Sequence, residues 1–504
     1  MSNVNSDHWV QTRKLGQYLA FTLLGPGLPM VLALITIPQM IKILGTERFG
    51  LLTLIWVLLG YFSLFDFGLG RAASRLYSEK LGHGDTLSIK PIIFTSIISI
   101  FTLGLVGTLI LSLLKNWLVT SALKVSPALQ DEALNAFFWV SLSIPFVSLG
   151  GCLKGLLEAR QKFHISGAVQ ALMGALIYIA PLAILLIVDN LAAVVFVLFI
   201  ARLLTSVIYL FPVLGDLPAT DKKLFNKEHL LPLVKTGGWM TVTNIVGPVI
   251  SYADRFLIAA LLTVSFVAYY STPFEVVTRI TLIATAIGQV LFPAMASFYG
   301  RDQNRVQQLF GLGVQTIAVL GYSVLIILTC FTPEILSIWL NADFAEKSTM
   351  AFRILAFGTL MNMLAIVPFN YLQSHQRANW TALLHLIELG LYLPLLALLI
   401  RLYSIEGAAF AWSFRTTIDL VVMMLLSKKD STALVRPSKK IMVIGAYSLM
   451  SFLSVSIIDS IWIRMTATFL LLVIFIFAVF HWLLEPEQKT QLQTILFRRR
   501  GTTT

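Results

Sequence analysis

Fourteen predominantly apolar stretches follow one another along the 504-residue chain. A helix needs roughly 20 apolar residues to cross the hydrocarbon of a bilayer. The stretches begin at 17–44 and 49–76, pass through 235–262, 264–298, 378–400 and 403–427, and end at 441–458 and 461–484. Backbone polar groups in lipid must be satisfied within the segment, and helices do this strand by strand of sequence. The pattern therefore predicts an all-α polytopic membrane protein of about 14 transmembrane helices. Most connections are too short for a soluble domain. Composition agrees: only 12% of residues are charged, against roughly a quarter in an average soluble domain. Cys152 and Cys330, the only two cysteines, lie inside apolar runs, which excludes a disulfide scaffold and a cysteine metal cluster. The polar first fifteen residues lack the features of a cleaved secretory signal, so the N-terminus is expected to be mature as written.

Positive loops resist translocation. Placing the N-terminus inside puts most of the 37 Lys and Arg residues in or beside cytoplasmic segments, which predicts a multi-pass protein with both termini inside. The net charge of +12 is then a consequence of topology and does not point to nucleic acid. The Arg498–Arg500 tail is expected to meet the anionic headgroups of membrane lipids.

The chain also resembles itself. Leu44, Thr46 and Phe49 match Leu261, Thr263 and Phe266; Leu157, Gln161 and Lys162 match Leu372, Gln376 and Arg377; and PLAILLI from Pro181 matches PLLALLI from Pro394. The last register pairs Phe199 with Trp412 and Arg202 with Arg415. Six spans per repeat is an even number, so both halves enter the membrane alike and are related by a pseudo-twofold along the membrane normal. The expected layout is an N-terminal lobe over 1–214, a cytoplasmic linker at 215–234, a C-terminal lobe over 235–430, and two additional helices with a basic tail over 431–504.

Ionisable residues in hydrocarbon are costly and usually face a bundle interior or a wet cavity. In span seven, Thr241, Asn244, Pro248, Ser251 and Arg255 share one helical face, as do Thr272, Glu275 and Arg279 in span eight. These stripes make Arg255, Arg279, Asn244, Ser251 and Glu275 the candidate substrate-binding residues. The plainer alternative treats Glu275 with Arg279, and Arg415 with Asp419, as i,i+4 ion pairs. That alternative is preferred for Arg415, and the cavity for Arg255 and Arg279. Asp66, Arg71, Arg202, Arg415 and Asp419 are read as gate or structural charges. Arg353, near the outer end of its span, has the option of snorkelling. His385 and Glu388, at i,i+3, suit either a proton relay or a satisfied buried hydrogen bond. Ser206 stands where Asp419 does in the other repeat, so Arg202 is expected to find its counter-charge on another helix or to face water, and to be the more sensitive of the two arginines. The cationic balance of the cavity candidates suits an anionic ligand such as a phosphate. No metal or cofactor site is expected: Gly68-Leu69-Gly70 ends an apolar helix without a phosphate loop. Asn379-Trp380-Thr381, though shaped as a glycosylation site, falls at a cytoplasmic turn.

The stretch LGTERFGLLTLIWVLLGYFSLFDFGLGRAASRL from Leu44 to Leu76, with Gly45, Phe49-Gly50, Asp66-Phe67-Gly68 and Arg71, resembles the opening helices of bacterial polysaccharide flippases of the O-antigen type. Ser251 to Arg279 looks like the matching element of the second lobe. These flippases belong to the multidrug/oligosaccharidyl-lipid/polysaccharide exporter superfamily. The resemblance implies a non-enzymatic flippase in the bacterial cytoplasmic (inner) membrane. Its implied ligand is an oligosaccharide on undecaprenyl diphosphate, moved from the inner to the outer leaflet by alternating access. It also implies partnership with polysaccharide polymerase and chain-length machinery, and basic cavity residues that meet the diphosphate. Fourteen spans match the related lipid II flippases, whereas many O-antigen flippases have twelve. A lipid II, capsular or teichoic precursor therefore stays open as substrate. A multidrug antiporter of the same fold would favour acidic cavity residues, and span one contains no Asp or Glu. A membrane polysaccharide polymerase needs a catalytic outer loop, and loops 115–132 and 333–349 contain no His.

Overall fold

The computed structural model describes the backbone of residues 4–64, 69–215, 249–430, 434–479 and 481, and side chains except those of 4–26, 63–64, 71, 86 and 435–439. Among the described residues every regular element is a helix. Eleven helical stretches are long and apolar enough to cross a membrane. Two of these are double crossings. The first helix, α1 (Val4–Leu64), is broken at Gly45, whose φ of 74° and ψ of 170° are open to glycine and strained for other residues. The break separates spans one and two where the apolar pattern placed a turn. A helix over Ala378–Asp430 is likewise broken at Tyr403 and Ser404, between spans eleven and twelve. Half of span seven, residues 235–248, lies outside the described residues.

The chain divides into two compact units, Met1–Tyr269 and Tyr270–Thr504. The expected linker at 215–234 lies outside the described residues from 216 on. The first unit contains α1, α2 (Leu69–Gly82), α3 (Ile89–Trp117), α4 (Gln130–Ala159), α5 (Phe163–Leu185), α6 (Leu191–Leu214) and α7, described over 249–261. Its enclosed helix is α4, which packs on α3 and α6 and carries Phe137, Val140, Leu153 and Leu157 fully buried. At one end, Arg48 joins Glu132 (2.8 Å) and Asp189 (3.2 Å), while Glu132 also accepts from the Leu191 amide at the start of α6.

The second unit contains most of α8 (Val264–Thr278), then α9 (Thr281–Phe298), α10 (Gln303–Cys330), α11 (Thr332–Trp339), α12 (Ala342–Ser374), α13 (Ala378–Asp430), α14 (Val435–Ile457) and α15 (Ile461–Ala478). Here α12 is enclosed, and α13 is its main neighbour. Their close approach depends on Gly358: a Cβ there would stand 2.3 Å from Ser413 Oγ. The Ser413 and Thr416 hydroxyls donate across this seam to the carbonyls of Ile354 (2.9 Å) and Gly358 (3.1 Å). The last two helices are fastened through Arg464, 3% exposed and paired with Glu334 of α11. Arg353 does not snorkel; it is buried and donates to the carbonyls of Thr329 and Ser456. Both cysteines are buried thiols.

Large apolar side chains are turned outward as well as inward. Leu113, Phe211, Leu391 and Trp462 are each at least 70% exposed, an arrangement that water penalises and lipid accepts.

The internal repeat reappears in the backbone. Gln161 and Gln376, matched by sequence, both have φ of 60°. After each, the next amide closes a six-residue loop onto a helical carbonyl, Lys162 N to Leu157 O at 2.9 Å and Arg377 N to Leu372 O at 2.8 Å. This is the left-handed helix terminus usually given to glycine, formed twice by glutamine at the same place in the repeat.

Candidate functional site

The eighth span carries the exposed charges. It is two helices, α8 and α9, meeting at Arg279 and Ile280. The hydroxyls beside the joint take helical carbonyls for themselves: Thr278 Oγ1 donates to Phe274 O and Thr281 Oγ1 to Thr278 O, both at 2.6 Å. Such back-bonding competes with the main-chain ladder and bends helices. Discontinuous helices in transporters bring backbone and side-chain charge to a ligand at mid-membrane. Arg279 lies at the joint, its Nη2 3.2 Å from Glu275 Oε2, with side-chain exposures of 35% and 45%. The ion pair and the accessible charge are thus the same pair of residues. A half-exposed pair is held loosely, so an anion of higher charge can displace Glu275 from the guanidinium.

Arg255 is placed differently. It is 1% exposed, its Nη1 lies 3.3 Å from Asp254 Oδ1 and 3.2 Å from Ser251 O, and its guanidinium stands 5.4 Å over the Tyr252 ring. Asp254, itself fully buried, also accepts from the Arg255 amide at 2.8 Å. Ser251 is exposed, so the expected single face from Ser251 to Arg255 divides into an exposed and an enclosed part. Helical periodicity missed Asp254 as the partner because adjacent residues point about 100° apart on a helix; here the long arginine side chain reaches back. Asn244 and Asp66 lie outside the described residues, and so does the Arg71 side chain.

The charges on α13 pair across the break. Arg415 Nη1 lies 3.4 Å from Glu388 Oε2, and Asp419 Oδ1 lies 3.6 Å from His385 Nε2. The expected i,i+4 pair of Arg415 with Asp419 is replaced by two contacts between the halves of α13. The reason is the fold-back at Tyr403 and Ser404, which brings a carboxylate to Arg415 and an imidazole to Asp419 from the facing half. Arg202, the repeat mate of Arg415, has a buried Nε without a hydrogen-bond partner and forms no ion pair among the described residues. Of the two outcomes expected for Arg202, a carboxylate from another helix is not found among the described residues, and it is Arg415 that has one from the facing half of α13. The Nε of Arg415 is also buried, as equivalent positions in the two lobes require.

At the end assigned to the cytoplasm by the charge bias, each lobe ties its fourth-to-fifth-span turn to the end of its sixth span. Arg160 donates to the Pro212 and Val213 carbonyls and to Tyr77 Oη. In the second lobe Arg377 pairs with Asp430 at 2.8 Å, which raises the guanidinium further above its ordinary range, and Asp430 also accepts from Tyr371 Oη. Nothing in the spacing of Arg377 and Asp430 signals this pair; it follows from the hairpin.

Residues 15–299 match the polysaccharide biosynthesis protein family. A candidate O-antigen transporter of Shigella flexneri is 28% identical over 81% of this chain and 96% of its own length. A second, from Salmonella typhimurium, is 22% identical over 78% and 87%. Among solved structures, the lipid II flippase MurJ in an inward closed conformation superposes with a TM-score of 0.68 at 13% identity, covering 95% of this chain and 97% of its own. An inward-facing multidrug resistance MATE family transporter of the MOP superfamily gives 0.67 at 12% identity, covering 82% and 98%. A duplicated helical bundle in the membrane, with this fold and this match, places the chain in the polysaccharide biosynthesis protein family, whose relatives include the O-antigen transporters.

Proposed function

We propose that the protein is a flippase that moves an oligosaccharide linked to undecaprenyl diphosphate from the inner to the outer leaflet of the bacterial cytoplasmic membrane by alternating access, with both termini inside. The observation that carries this reading is Arg279: an arginine in the middle of an apolar span, at a break between two helices, still 35% exposed although ion-paired. A buried structural arginine would be enclosed, as Arg255 is. An accessible guanidinium in a low-dielectric setting binds a diphosphate with paired, charge-assisted hydrogen bonds, and Glu275 supplies the counter-charge between transport cycles. Arg255, Ser251 and Asn244 stay with Arg279 and Glu275 as proposed substrate-binding residues. Arg255 does its part from an enclosed position, by holding the charge and geometry of α7. Asp66 and Arg71 are proposed for the inner gate, and polysaccharide polymerase and chain-length proteins as partners.

The test is complementation of a strain lacking its own flippase. Arg279→Ala is expected to abolish surface polysaccharide at unchanged membrane level, and Arg279→Lys to restore part of it. Normal surface polysaccharide in the alanine variant would remove the assignment.

A further inference from the structure

Four ionisable residues of α13, His385, Glu388, Arg415 and Asp419, have a chemistry unusual for a structural core. His385 and Glu388 lie on the first half of the helix, Arg415 and Asp419 on the second, and the contacts His385–Asp419 and Glu388–Arg415 are nested about the break at Tyr403 and Ser404. One ligand atom each from His385, Glu388 and Asp419 lies within 4.8 Å of the others. Glu388 and Asp419 are 5% and 7% exposed. Glu388 Oε1 and Asp419 Oδ1 are buried without a hydrogen-bond donor, and Arg415 Nε without an acceptor. Among the described residues, α8, whose Phe274 ring meets Trp412 of α13 at 5.1 Å, carries Glu275 and Arg279, which pair with each other and add no net charge. On α12 the charged residues are Asp343, Glu346, Lys347 and Arg353, all in its first twelve positions, and on α14 they are Arg436, Lys439 and Lys440 at its start.

Two carboxylates, one guanidinium and a neutral imidazole sum to one negative charge in an enclosed site. Such a charge is costly until a cation neutralises it. A metal cation is disfavoured because Arg415 already occupies the counter-ion position on Glu388, and a hard cation needs about six oxygen ligands. A proton needs only one acceptor with a free lone pair, and Glu388 Oε1 and Asp419 Oδ1 both offer one. We propose that His385, Glu388, Asp419 and Arg415 form a proton-binding site in the second lobe, which holds one exchangeable proton. His385, with 35% of its side chain exposed, is the entry: the proton adds to the ring nitrogen, and the imidazolium donates it toward Asp419, from which it passes to Glu388. A protonated Glu388 releases Arg415 from its cross-helix pair, so proton occupancy alters what holds the two halves of α13 together. No covalent bond other than N–H and O–H is made or broken, and the charge of the cluster changes from minus one to zero.

The site stands on this geometry alone; its use in driving transport rests on the flippase reading above. The experiment is therefore done without lipid substrate. Full-length protein in liposomes of neutral lipid is adsorbed on a solid-supported membrane, and charge displacement is recorded after a step in pH and, separately, after a step in sodium at fixed pH. The wild type is expected to show a transient on acidification and none with sodium. Glu388→Gln and Asp419→Asn are each expected to abolish it, and His385→Asn to slow it. Absence of a transient in the wild type, a transient that follows sodium, or full retention in a Glu388→Gln or Asp419→Asn protein that elutes and melts like the wild type would each overturn the proposal. If Glu388→Gln does not fold, Asp419→Asn and the wild-type steps still decide. Failure of complementation with an intact pH transient would count against the flippase reading and leave the site standing.

Discussion

The sixth helix of the first lobe and its counterpart in the second begin from similar sequence and arrive at different chemistry. In the first lobe α6 meets α4 through rings, with Trp139 4.7 Å from Phe196 and 5.6 Å from Phe199, as well as through the Ser206 hydroxyl, which donates to the Phe146 carbonyl at 2.7 Å, and among the described residues buried Arg202 has no carboxylate beside it. In the second lobe the seam is made of glycine and hydroxyls, and Arg415 faces Glu388 in a cluster of four ionisable groups. Both arginines occupy equivalent places, but only one belongs to a site whose charge can change. The first lobe is built as a scaffold at this depth, and the second as a responsive element. Duplication thus preserved the backbone, down to the left-handed glutamines at 161 and 376, while the ionisable groups diverged.

The largest effect that would sharpen this contrast is the loss of Arg415. Arg415→Gln strands a buried carboxylate, which costs roughly 3–5 kcal/mol when one member of a buried pair is removed. Arg202→Gln strands no carboxylate and is expected to cost less than ~1 kcal/mol. Thermal melting of the purified proteins, followed by helical circular dichroism, measures both. The reverse order would break the comparison. Adding Glu388→Gln to Arg415→Gln should recover much of the loss, because a neutral pair leaves no uncompensated charge.

Next in size is the fastening of the C-terminal helices to the second lobe. Arg464→Ala removes the partner of Glu334, a contact of the charge-assisted kind worth about 1.5–3 kcal/mol. The expected outcome is faster proteolysis around residues 457–461, with no change at the loops of the first lobe. Equal protection in both proteins would mean that apolar packing alone holds α14 and α15.

The smallest effect tests what the lobes share. Gln161→Gly and Gln376→Gly each relieve a left-handed backbone and should stabilise by up to ~1 kcal/mol, by equal amounts in the two lobes. Unequal shifts would show that the two turns carry different loads.

How much of this the sequence carried depends on the distance over which each feature is determined. The spans, the turn at Gly45 and the repeat were legible because each is set by residues near one another in the chain. The resemblance around Leu44–Leu76 pointed to the right family. Pairing was less legible. Asp254 with Arg255 escaped a search at helical spacing, and Arg415 with Glu388 depends on a fold-back whose register no local pattern fixes. The joint of α8 and α9 was hidden because neither proline of that span stands at it; threonines 278 and 281 make it instead. Arg48 with Glu132 and Asp189 was missed for a simpler reason: three loop-end residues far apart in sequence give no periodic signal.

The central claim is that an accessible arginine at the break of the eighth span binds the diphosphate of a lipid-linked oligosaccharide that the protein carries across the membrane. The most direct measurement places undecaprenyl-diphosphate-linked oligosaccharide in one leaflet of proteoliposomes and follows its arrival in the other with an impermeant glycan-modifying enzyme. The wild type is predicted to equilibrate the two leaflets, Arg279→Ala to leave the lipid where it was placed, and Arg279→Lys to fall between. Equilibration by Arg279→Ala at the wild-type rate would contradict the account.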